Sequence, residues 1–330
     1  MAVKNEIPET MLAAVIEAFN EPIKIQEVKV PDTPDERILV KIEAGSLCSS
    51  DLMAWKGYMP YLTSLPYCGG HEPVGTIVKI GSAVRGFTVG ERVGFIMFTD
   101  MCGVCDECFS GEHRYCAQKK AIGFQDSYGG FSEYSLADPR STVKLPDELS
   151  FESAAPLFCG GVTAYSALLR VRASPGQLIN IIGCGGVGHL AIMFAKKMGY
   201  RIHAYDISEE KLALARDCGA DQAFDSLNLP SNPEKAASTL VISGASAAYN
   251  SAVGLTANHG AVVAVGIPPT DIQVSASNTG SKADLIALLD LAARHNIKPV
   301  IDVRNIRTVN EAYQDLANGK IDGRIVFKFN

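Results

Sequence analysis

The 330-residue sequence has no long apolar run and no excess of positive charge. A membrane-spanning helix needs roughly 18 or more consecutive apolar residues, and no stretch approaches that length. Thirty lysines and arginines stand against 36 aspartates and glutamates, which gives a net charge of −6. This balance offers no electrostatic reason to bind nucleic acid or an anionic membrane. We therefore expect neither as a partner.

The N-terminal residues also lack the apolar core and the small-residue cleavage site of a secretory signal. Nine cysteines in a chain without such a signal indicate metal binding in a reducing compartment, not a disulfide framework. We expect a cytoplasmic protein.

The pattern of predicted secondary structure changes near residue 150. Up to that point short β-like runs alternate with proline, aspartate and glycine turns, which predicts a mostly β domain over residues 1–150. From 151 to 296 strands alternate with helices, which predicts an α/β domain built on a doubly wound parallel sheet with helices on both faces. Residues 297–330 return to short strands, and we expect them to pack back on the first domain. The predicted strands are 13–19, 23–30, 38–43, 75–80, 178–182, 201–205, 239–243 and 261–265, and the predicted helices are 187–198, 209–218 and 282–296.

Four cysteines lie within fifteen residues in the pattern C-x2-C-x2-C-x7-C: Cys102, Cys105, Cys108 and Cys116. Four thiolates close a tetrahedron around zinc and leave no position for water, so this pattern predicts a structural zinc site. The alternative is a set of unpaired thiols in a surface loop.

A second, dispersed set of ligands comprises Cys48, the pair His71-Glu72, and Cys159. Thiolate and imidazole ligands from distant segments suit a catalytic zinc with one exchangeable position. We take Cys48, His71 and Cys159 as ligands and Glu72 as a fourth ligand or a nearby anion. Asp51 is placed to hold the far N–H of the imidazole. Taken singly, each of these cysteines would more often be a small core residue, and the histidine would more often be a hydrogen-bonded interior one.

A glycine-rich turn, Gly183-Cys-Gly185-Gly186-Val-Gly188, follows a predicted strand and opens a helix with a single apolar stripe. Glycines there let a pyrophosphate approach the unpaired N–H groups of a helix N-terminus. Asp206 ends the next strand at the spacing of a carboxylate that binds the adenosine ribose. Because Asp206 would repel a 2′-phosphate, NAD is favoured over NADP. The plainer alternative is a tight strand–helix turn with a solvated aspartate.

Together these motifs resemble the zinc-dependent medium-chain dehydrogenase/reductase family, whose best-known members are the alcohol dehydrogenases. The resemblance covers nearly the whole chain. Its marks are Cys48-Ser-Ser-Asp51, Gly70-His71-Glu72, the four-cysteine lobe, Tyr128-Gly-Gly-Phe-Ser-Glu-Tyr134, Cys159-Gly-Gly-Val-Thr163, the glycine turn, and Gly323-Arg324-Ile-Val326. The resemblance implies a GroES-like catalytic domain followed by a Rossmann domain, with two zinc ions per chain and the active site in the cleft between the domains.

The resemblance also implies individual roles. Ser50 would carry the substrate proton away from the catalytic zinc. The cofactor contacts that it implies are Thr163 and Val187 at the nicotinamide, Lys211 with Asp206 at the adenosine ribose, Val265, Gly266 and Ile267 at the carboxamide, and Arg324 at the pyrophosphate.

The sequence departs from the family pattern in two places. Met53 stands where many relatives carry a histidine that ends the proton relay. The segment Pro268–Ser281 is short and offers only residues 272–275 as a strand, although relatives usually carry there an edge strand that forms the dimer. We therefore expect a monomer or a differently built dimer.

Three functions compete at this point. The leading one is a zinc-dependent oxidoreductase that transfers a hydride between an alcohol or carbonyl substrate and NAD. The first alternative is a reductase of activated C=C bonds on the same scaffold, for which Met53 is an argument. The second is a non-catalytic nucleotide-binding protein, and the intact ligand set argues against it.

Overall fold

Antiparallel strand pairing dominates the first part of the chain. The computed structural model describes residues 7–125, 128–266, 301–305 and 324–328 and the single positions 308, 311, 315, 318 and 320. The strands of the first part are β1 (Thr10–Ile16), β2 (Lys24–Lys29), β3 (Ile38–Ser46), β4 (Tyr67–Cys68), β5 (Glu72–Ile80), β6 (Arg92–Phe95), β7 (Phe98–Thr99), β8 (Lys120–Ala121), β9 (Tyr134–Ala137) and β10 (Thr142–Lys144). Its short helices are α1 (Ser49–Trp55) and α2 (Asp106–Phe109). The predicted mostly β region is confirmed.

These strands form two main sheets, ordered β2-β1-β4 and β10-β6-β5-β3-β9, and β7 pairs with β8. β1 begins and ends three residues earlier than predicted, because Met11, Ala13 and Val15 alternate inward from Thr10 onward. In the second sheet, Ser46 at the end of β3 pairs with Glu72 at the start of β5. This register brings the segment after β3 close to the segment before β5.

A buried ion-pair network ties the second sheet to the segment after β7. Asp138 is 1% exposed, and its carboxylate lies 2.8 Å from the Arg37 guanidinium and 2.7 Å from that of Arg140. Arg140 also donates to the carbonyl of Met101, and Arg37 pairs with Asp100. The network therefore joins the sheet to the residues that lead into the four-cysteine lobe.

Helices and parallel strands alternate in the second part. Its elements are α3 (Phe151–Ala154), α4 (Gly160–Leu168), β11 (Leu178–Ile182), α5 (Gly186–Lys197), β12 (Arg201–Asp206), α6 (Glu209–Asp217), β13 (Gln222–Asp225), β14 (Ala236–Val241), α7 (Ser246–Leu255) and β15 (Thr256–Ala264). The sheet order is β13-β12-β11-β14-β15, with every pairing parallel. This is the doubly wound order that starts at the central strand and runs outward in both directions.

Both faces of the parallel sheet are covered, as predicted. One face packs Ile179 and Ile181 of β11 against α4, α5 and α6. The other packs Ile182 and Tyr205 against α7. The sequence patterns missed α3, α4, α7 and β13. They placed β14 and β15 within a few residues of their observed positions.

The chain divides into two compact units, Met1–Ile272 and Gln273–Asn330. In the second, β16 (Ile301–Asn305) pairs in parallel with β17 (Arg324–Lys328). The predicted helix 282–296 and the short segment Pro268–Ser281 lie outside the described residues. The boundary near 150 and the packing of residues 297–330 stay predictions. Among the helices described, none has the length and apolar character that crossing a bilayer requires.

Candidate active site

The dispersed ligand set comes together in space. The ligand atoms of Cys48, His71, Glu72 and Cys159 all lie within 4.8 Å of one another. Cys48 precedes α1, His71 lies just before β5, and Glu72 begins β5, so the pairing of β3 with β5 brings these segments together. Cys159 precedes α4. The short helical turn before Cys159 packs tightly on β6, since a Cβ built on Gly94 of β6 would lie 2.2 Å from the Phe158 ring.

Asp51 joins the pieces of this cluster. One carboxylate oxygen accepts the backbone N–H of Cys48 at 2.9 Å, and the other accepts that of Gly70 at 3.1 Å. The second oxygen also lies 3.0 Å from His71 Nδ1. The predicted contact between Asp51 and the imidazole is therefore present in the structure. The Ser50 hydroxyl lies 3.8 Å from the Cys48 sulfur.

The donor chemistry fits a divalent cation. His71 is 1% exposed, and its Nε2 has no hydrogen-bond partner in the described part of the chain. A hydrogen bond with Cys159 lowers the pKa of Cys48 to about 4, and the same contact raises the pKa of Cys159. Burial raises the pKa of Glu72. Burial also lowers the pKa of His71, but Asp51 and Cys48 outweigh burial and raise this pKa to about 9. A cation between the ligand atoms would offset the electrostatic repulsion between the thiolates and the Glu72 carboxylate.

The four-cysteine lobe is also assembled. The sulfurs of its members lie within 4.8 Å of one another: Cys102, Cys105, Cys108 and Cys116. Backbone N–H groups point at two of these sulfurs, from Cys102 to Cys116 at 3.4 Å and from Val104 to Cys102 at 3.5 Å. Gly103 and Gly111 have φ of 75° and 79°, which the turns between the cysteines require. This arrangement fits a tetrahedral metal site with no open position.

The glycine turn has the shape that a pyrophosphate needs. A Cβ on Gly188 would lie 1.9 Å from the Gly183 carbonyl oxygen, so glycine there permits close contact between β11 and α5. In contrast, a Cβ on Gly185 or Gly186 would meet nothing within 4 Å. Both border open space at the N-terminus of α5, where unpaired N–H groups attract an anion.

Asp206 ends β12 beside this turn and is 7% exposed. Its carboxylate accepts the backbone N–H of Cys184 at 2.8 Å, Ile207 at 2.8 Å and Ser208 at 3.1 Å. The sequence predicted a ribose contact but not these three bonds, of which the one from Cys184 fastens the glycine turn to the end of β12. Lys211 lies exposed in the first turn of α6.

The residues expected at the nicotinamide lie near Cys159. Thr163 follows it by one turn of α4, and Val265 lines the same cleft of about 450 Å³. Val187 lies 3.9 Å from the Cβ position of Gly160. The N–H groups of Val265 and Gly266 both bond the Val241 carbonyl, so neither is free for a carboxamide.

Of the remaining expected cofactor residues, Ile267 lies outside the described residues. Arg324 begins β17, in the second compact unit.

An apolar cavity of about 500 Å³ opens beside Cys48. Ile16, Leu52, Trp55 and Phe131 contribute to its lining. Three other aromatic or thiol side chains of the first part are almost fully buried in the core: Cys68, Phe95 and Phe124. Phe124 packs on His71 with ring centroids 4.9 Å apart.

Comparison with known proteins gives the same assignment from the whole sequence. The family model described as the alcohol dehydrogenase GroES-like domain matches residues 34–147, and that described as zinc-binding dehydrogenase matches residues 186–303. An alcohol dehydrogenase of Geobacillus stearothermophilus is 36% identical over 340 residues, which cover 96% of this chain and 99% of the relative. The chain belongs to the zinc-type medium-chain dehydrogenase/reductase family. An alcohol dehydrogenase of Rhizobium meliloti is 34% identical, with 97% and 99% of the two chains covered.

Solved structures agree with this family. The alcohol dehydrogenase of Aeropyrum pernix matches with a TM-score of 0.71 and 28% identity, over 95% of this chain and 98% of its own. The acetophenone reductase of Geotrichum candidum in complex with NAD matches with a TM-score of 0.73 and 27% identity, over 98% of both chains. The GroES-like and Rossmann folds are confirmed. The protein is an alcohol dehydrogenase-like oxidoreductase that uses zinc and a nicotinamide cofactor.

Proposed function

We propose that the protein is an NAD-linked alcohol dehydrogenase or carbonyl reductase with two zinc ions per chain. The observation that carries this proposal is that the ligand atoms of Cys48, His71 and Cys159 lie close together. The imidazole Nε2 of His71 also lacks a hydrogen-bond partner within the described residues. Asp51 holds the far side of that imidazole, as in most protein metal sites. Glu72 would be the fourth ligand when the exchangeable position is free, or a nearby anion, and the four-cysteine lobe would hold the second, structural zinc.

Zinc in such a site polarises a C–O bond and lowers the pKa of a hydroxyl, and the nicotinamide accepts or gives the hydride. The chain's own residues transfer the proton and position the nicotinamide. Ser50 accepts the proton that the alcohol loses, since its hydroxyl lies on the Cys48 side of the cluster. Thr163 and Val187 limit where the nicotinamide ring can lie. Met53 has no titrating group and cannot take the proton onward from Ser50, so water or another group does this.

The proposed cofactor is NAD in preference to NADP. The Asp206 carboxylate stands where the adenosine ribose would lie, and its negative charge repels a 2′-phosphate. Three backbone N–H groups already bond this carboxylate, which fixes it in place. Lys211 would bind the same ribose, Arg324 the pyrophosphate, and the main chain of residues 265–267 the carboxamide. Among the described groups of that segment, the Val265 carbonyl remains as the acceptor.

The cavity beside Cys48 indicates an alcohol, aldehyde or ketone with an apolar body of modest to large size. For the assembly, we propose a monomer or a dimer that does not use the family's edge strand, because the segment Pro268–Ser281 is short. Light scattering gives the mass in solution, and a tetramer would contradict this proposal.

The experiment that tests the proposed chemistry is alcohol-dependent reduction of NAD, followed by the absorbance of the reduced cofactor, for the wild type and Ser50→Ala. Loss of a proton-transfer group costs about 10²–10⁴-fold in rate. The control is Ser82→Ala, because the Ser82 hydroxyl bonds Asp35 on the surface at 2.7 Å. Equal rates for both variants would remove Ser50 from the proposed relay.

A further inference from the structure

The cleft beside Cys159 has more room than the proposed function uses. Its volume is about 450 Å³, and its described lining belongs entirely to the first compact unit. A cavity of about 150 Å³ accepts a benzene ring, so a nicotinamide ring beside Thr163 would fill about a third of the cleft. The remaining space is available to the substrate.

The helix α4 runs along this cleft and gives its length. Cys159 precedes the helix, Thr163 and Ser166 lie within it at about one-turn spacing, and Arg170 follows its last residue by two positions. All four residues line the cleft. At about 1.5 Å of rise per residue, Arg170 lies roughly 16 Å further along the helix than the proposed zinc ligand.

Arg170 has a hydrogen-bonding edge that the chain does not use. Its Nη1 donates to the carbonyl oxygen and to the hydroxyl of Ser166, both at 2.6 Å. Among the residues that the structure describes, its Nε and Nη2 have no hydrogen-bond partner and no carboxylate pairs with the guanidinium. The Nε and Nη2 groups of an arginine form a planar fork that matches the two oxygens of a carboxylate.

A second arginine lines the cleft from the four-cysteine lobe. Arg114 lies in the short turn before Cys116, and its guanidinium carbon is 5.0 Å from the centroid of the Tyr115 ring. Glu112 offsets part of its charge through an ion pair at 2.6 Å. The described lining of the cleft includes no aspartate or glutamate. The cleft therefore carries positive charge, although the chain as a whole has a net charge of −6.

Most of the remaining lining is apolar, and Met97, Phe98, Val162 and Ala167 contribute to it. This cleft and the cavity beside Cys48 both border the proposed zinc, because each is lined by one of its thiolate ligands. A substrate held at the metal can therefore extend an apolar chain into the cleft and bring an anionic end to the arginines.

We propose that Arg170, together with Arg114, binds the carboxylate of substrates that carry this group at the far end of an apolar chain from the reacting carbon. Such substrates are hydroxy acids, and in the reverse direction the corresponding oxo acids. A straight chain of ten carbons spans about 11 Å, with C–C bonds of about 1.5 Å, and the arginine side chain bridges the remaining distance. The inference rests on the proposed zinc-dependent alcohol oxidation and names the substrate class for that same site.

The test compares 10-hydroxydecanoate with its methyl ester, which has the same reacting carbon and no charge. The value of kcat/KM with NAD is measured at low ionic strength for the wild type, Arg170→Gln, Arg170→Glu, and the double variant of Arg114→Gln and Arg170→Gln. The wild type should prefer the acid by about tenfold, which corresponds to about 1.4 kcal/mol. Arg170→Gln should remove most of this preference, the double variant should show none, and Arg170→Glu should prefer the ester.

Two further readouts separate carboxylate binding from a general effect on the fold. The preference should appear in KM and not in kcat, because a contact far from the reacting carbon is made equally in the ground state and the transition state. It should also weaken as the salt concentration rises, because Arg170 is exposed. Arg216→Gln is the matched control and should keep the wild-type ratio, because Arg216 pairs with Glu209 at 2.7 Å and does not line the cleft.

Equal kcat/KM of the wild type for the acid and the ester would overturn the inference and leave the proposed function standing. A preference for the acid that both Arg170→Gln and Arg170→Glu retain would also overturn it. If neither compound is oxidised but shorter neutral alcohols are, the cleft does not admit the chain and the inference fails alone. If no alcohol is oxidised with NAD, the proposed function fails and the inference fails with it.

Discussion

Replacing Asp51 with asparagine tests how the open metal site is held together. The carboxylate accepts from the backbone N–H of Cys48 with one oxygen, and from Gly70 and His71 with the other. An asparagine side chain has one acceptor oxygen. If that oxygen keeps Gly70 and His71, the amide NH₂ group faces the Cys48 N–H, and two donors meet.

The cost follows from this geometry. A hydrogen bond to a charged acceptor contributes about 1.5–3 kcal/mol, and a buried donor without a partner costs about 1–3 kcal/mol. The Cys48 backbone would shift to relieve the conflict, and its sulfur would move with it. Loss of a residue that orients a metal ligand typically lowers metal affinity about 10–100-fold. That range corresponds to about 1.4–2.8 kcal/mol, which is consistent with one lost bond.

The assay is zinc release into a graded series of chelator concentrations, with the four-cysteine site of the same chain as an internal reference. Asp51→Asn should release one zinc at a lower chelator concentration than the wild type, and the second zinc at the same concentration. Asp147→Asn is the control, because that side chain is fully exposed and its nearest guanidinium nitrogen is 3.9 Å away. If Asp51→Asn keeps both zinc ions as tightly as the wild type, Asp51 does not position the ligands.

Three further predictions test the nucleotide turn, the ion-pair network and the proton relay. Gly185→Ala should fold as the wild type but bind NADH more weakly, because its Cβ would enter the open space at the turn, whereas Gly188→Ala should lose about 1–3 kcal/mol of stability through its clash with Gly183. Comparing urea unfolding with NADH titration separates these two effects. Burial opposes ionisation of Asp138, but its arginine partners outweigh burial and lower its pKa. Its contribution to stability is therefore present above the unfolded pKa of about 3.9 and is lost as pH falls through the folded value. Asp138→Asn should cost about 3–5 kcal/mol at neutral pH and reduce the loss of stability in acid, as measured by urea unfolding at both pH values. Because Met53 cannot titrate, hydride transfer should show no imidazole-like step in its pH profile, and a clear step near the pKa of histidine, about 6.5, would contradict the proposed relay.

The sequence predicted those elements best whose residue pattern is typical of a single kind of structure. The strand Leu178–Ile182, the glycine turn and the helix after it follow from a continuous apolar run, a close backbone approach and a 3.6-residue stripe. The structure has all three at those positions. The ligand sets were also predictable, because thiolates and imidazole at metal-site spacings have few other uses.

Other elements carry weaker signals. The helix α4 opens on Gly160-Gly161, which are poor helix formers, and tertiary packing against α5 stabilises it. The strand β13 has four residues and is only partly buried, so its alternation of apolar and polar residues is too short to predict a strand. The bond from the Cys184 N–H to the Asp206 carboxylate depends on the distance between two separate segments. No local pattern encodes such distances.

Zinc content per chain tests the central claim most directly. The measurement is elemental analysis of protein purified without chelator, made on the wild type, Cys48→Ser and Cys102→Ser. We expect close to two zinc ions in the wild type and close to one in each variant, and NAD reduction lost in Cys48→Ser. One zinc in the wild type that is unaffected by Cys48→Ser would mean that Cys48, His71 and Cys159 hold no metal, and would contradict the proposed catalytic zinc.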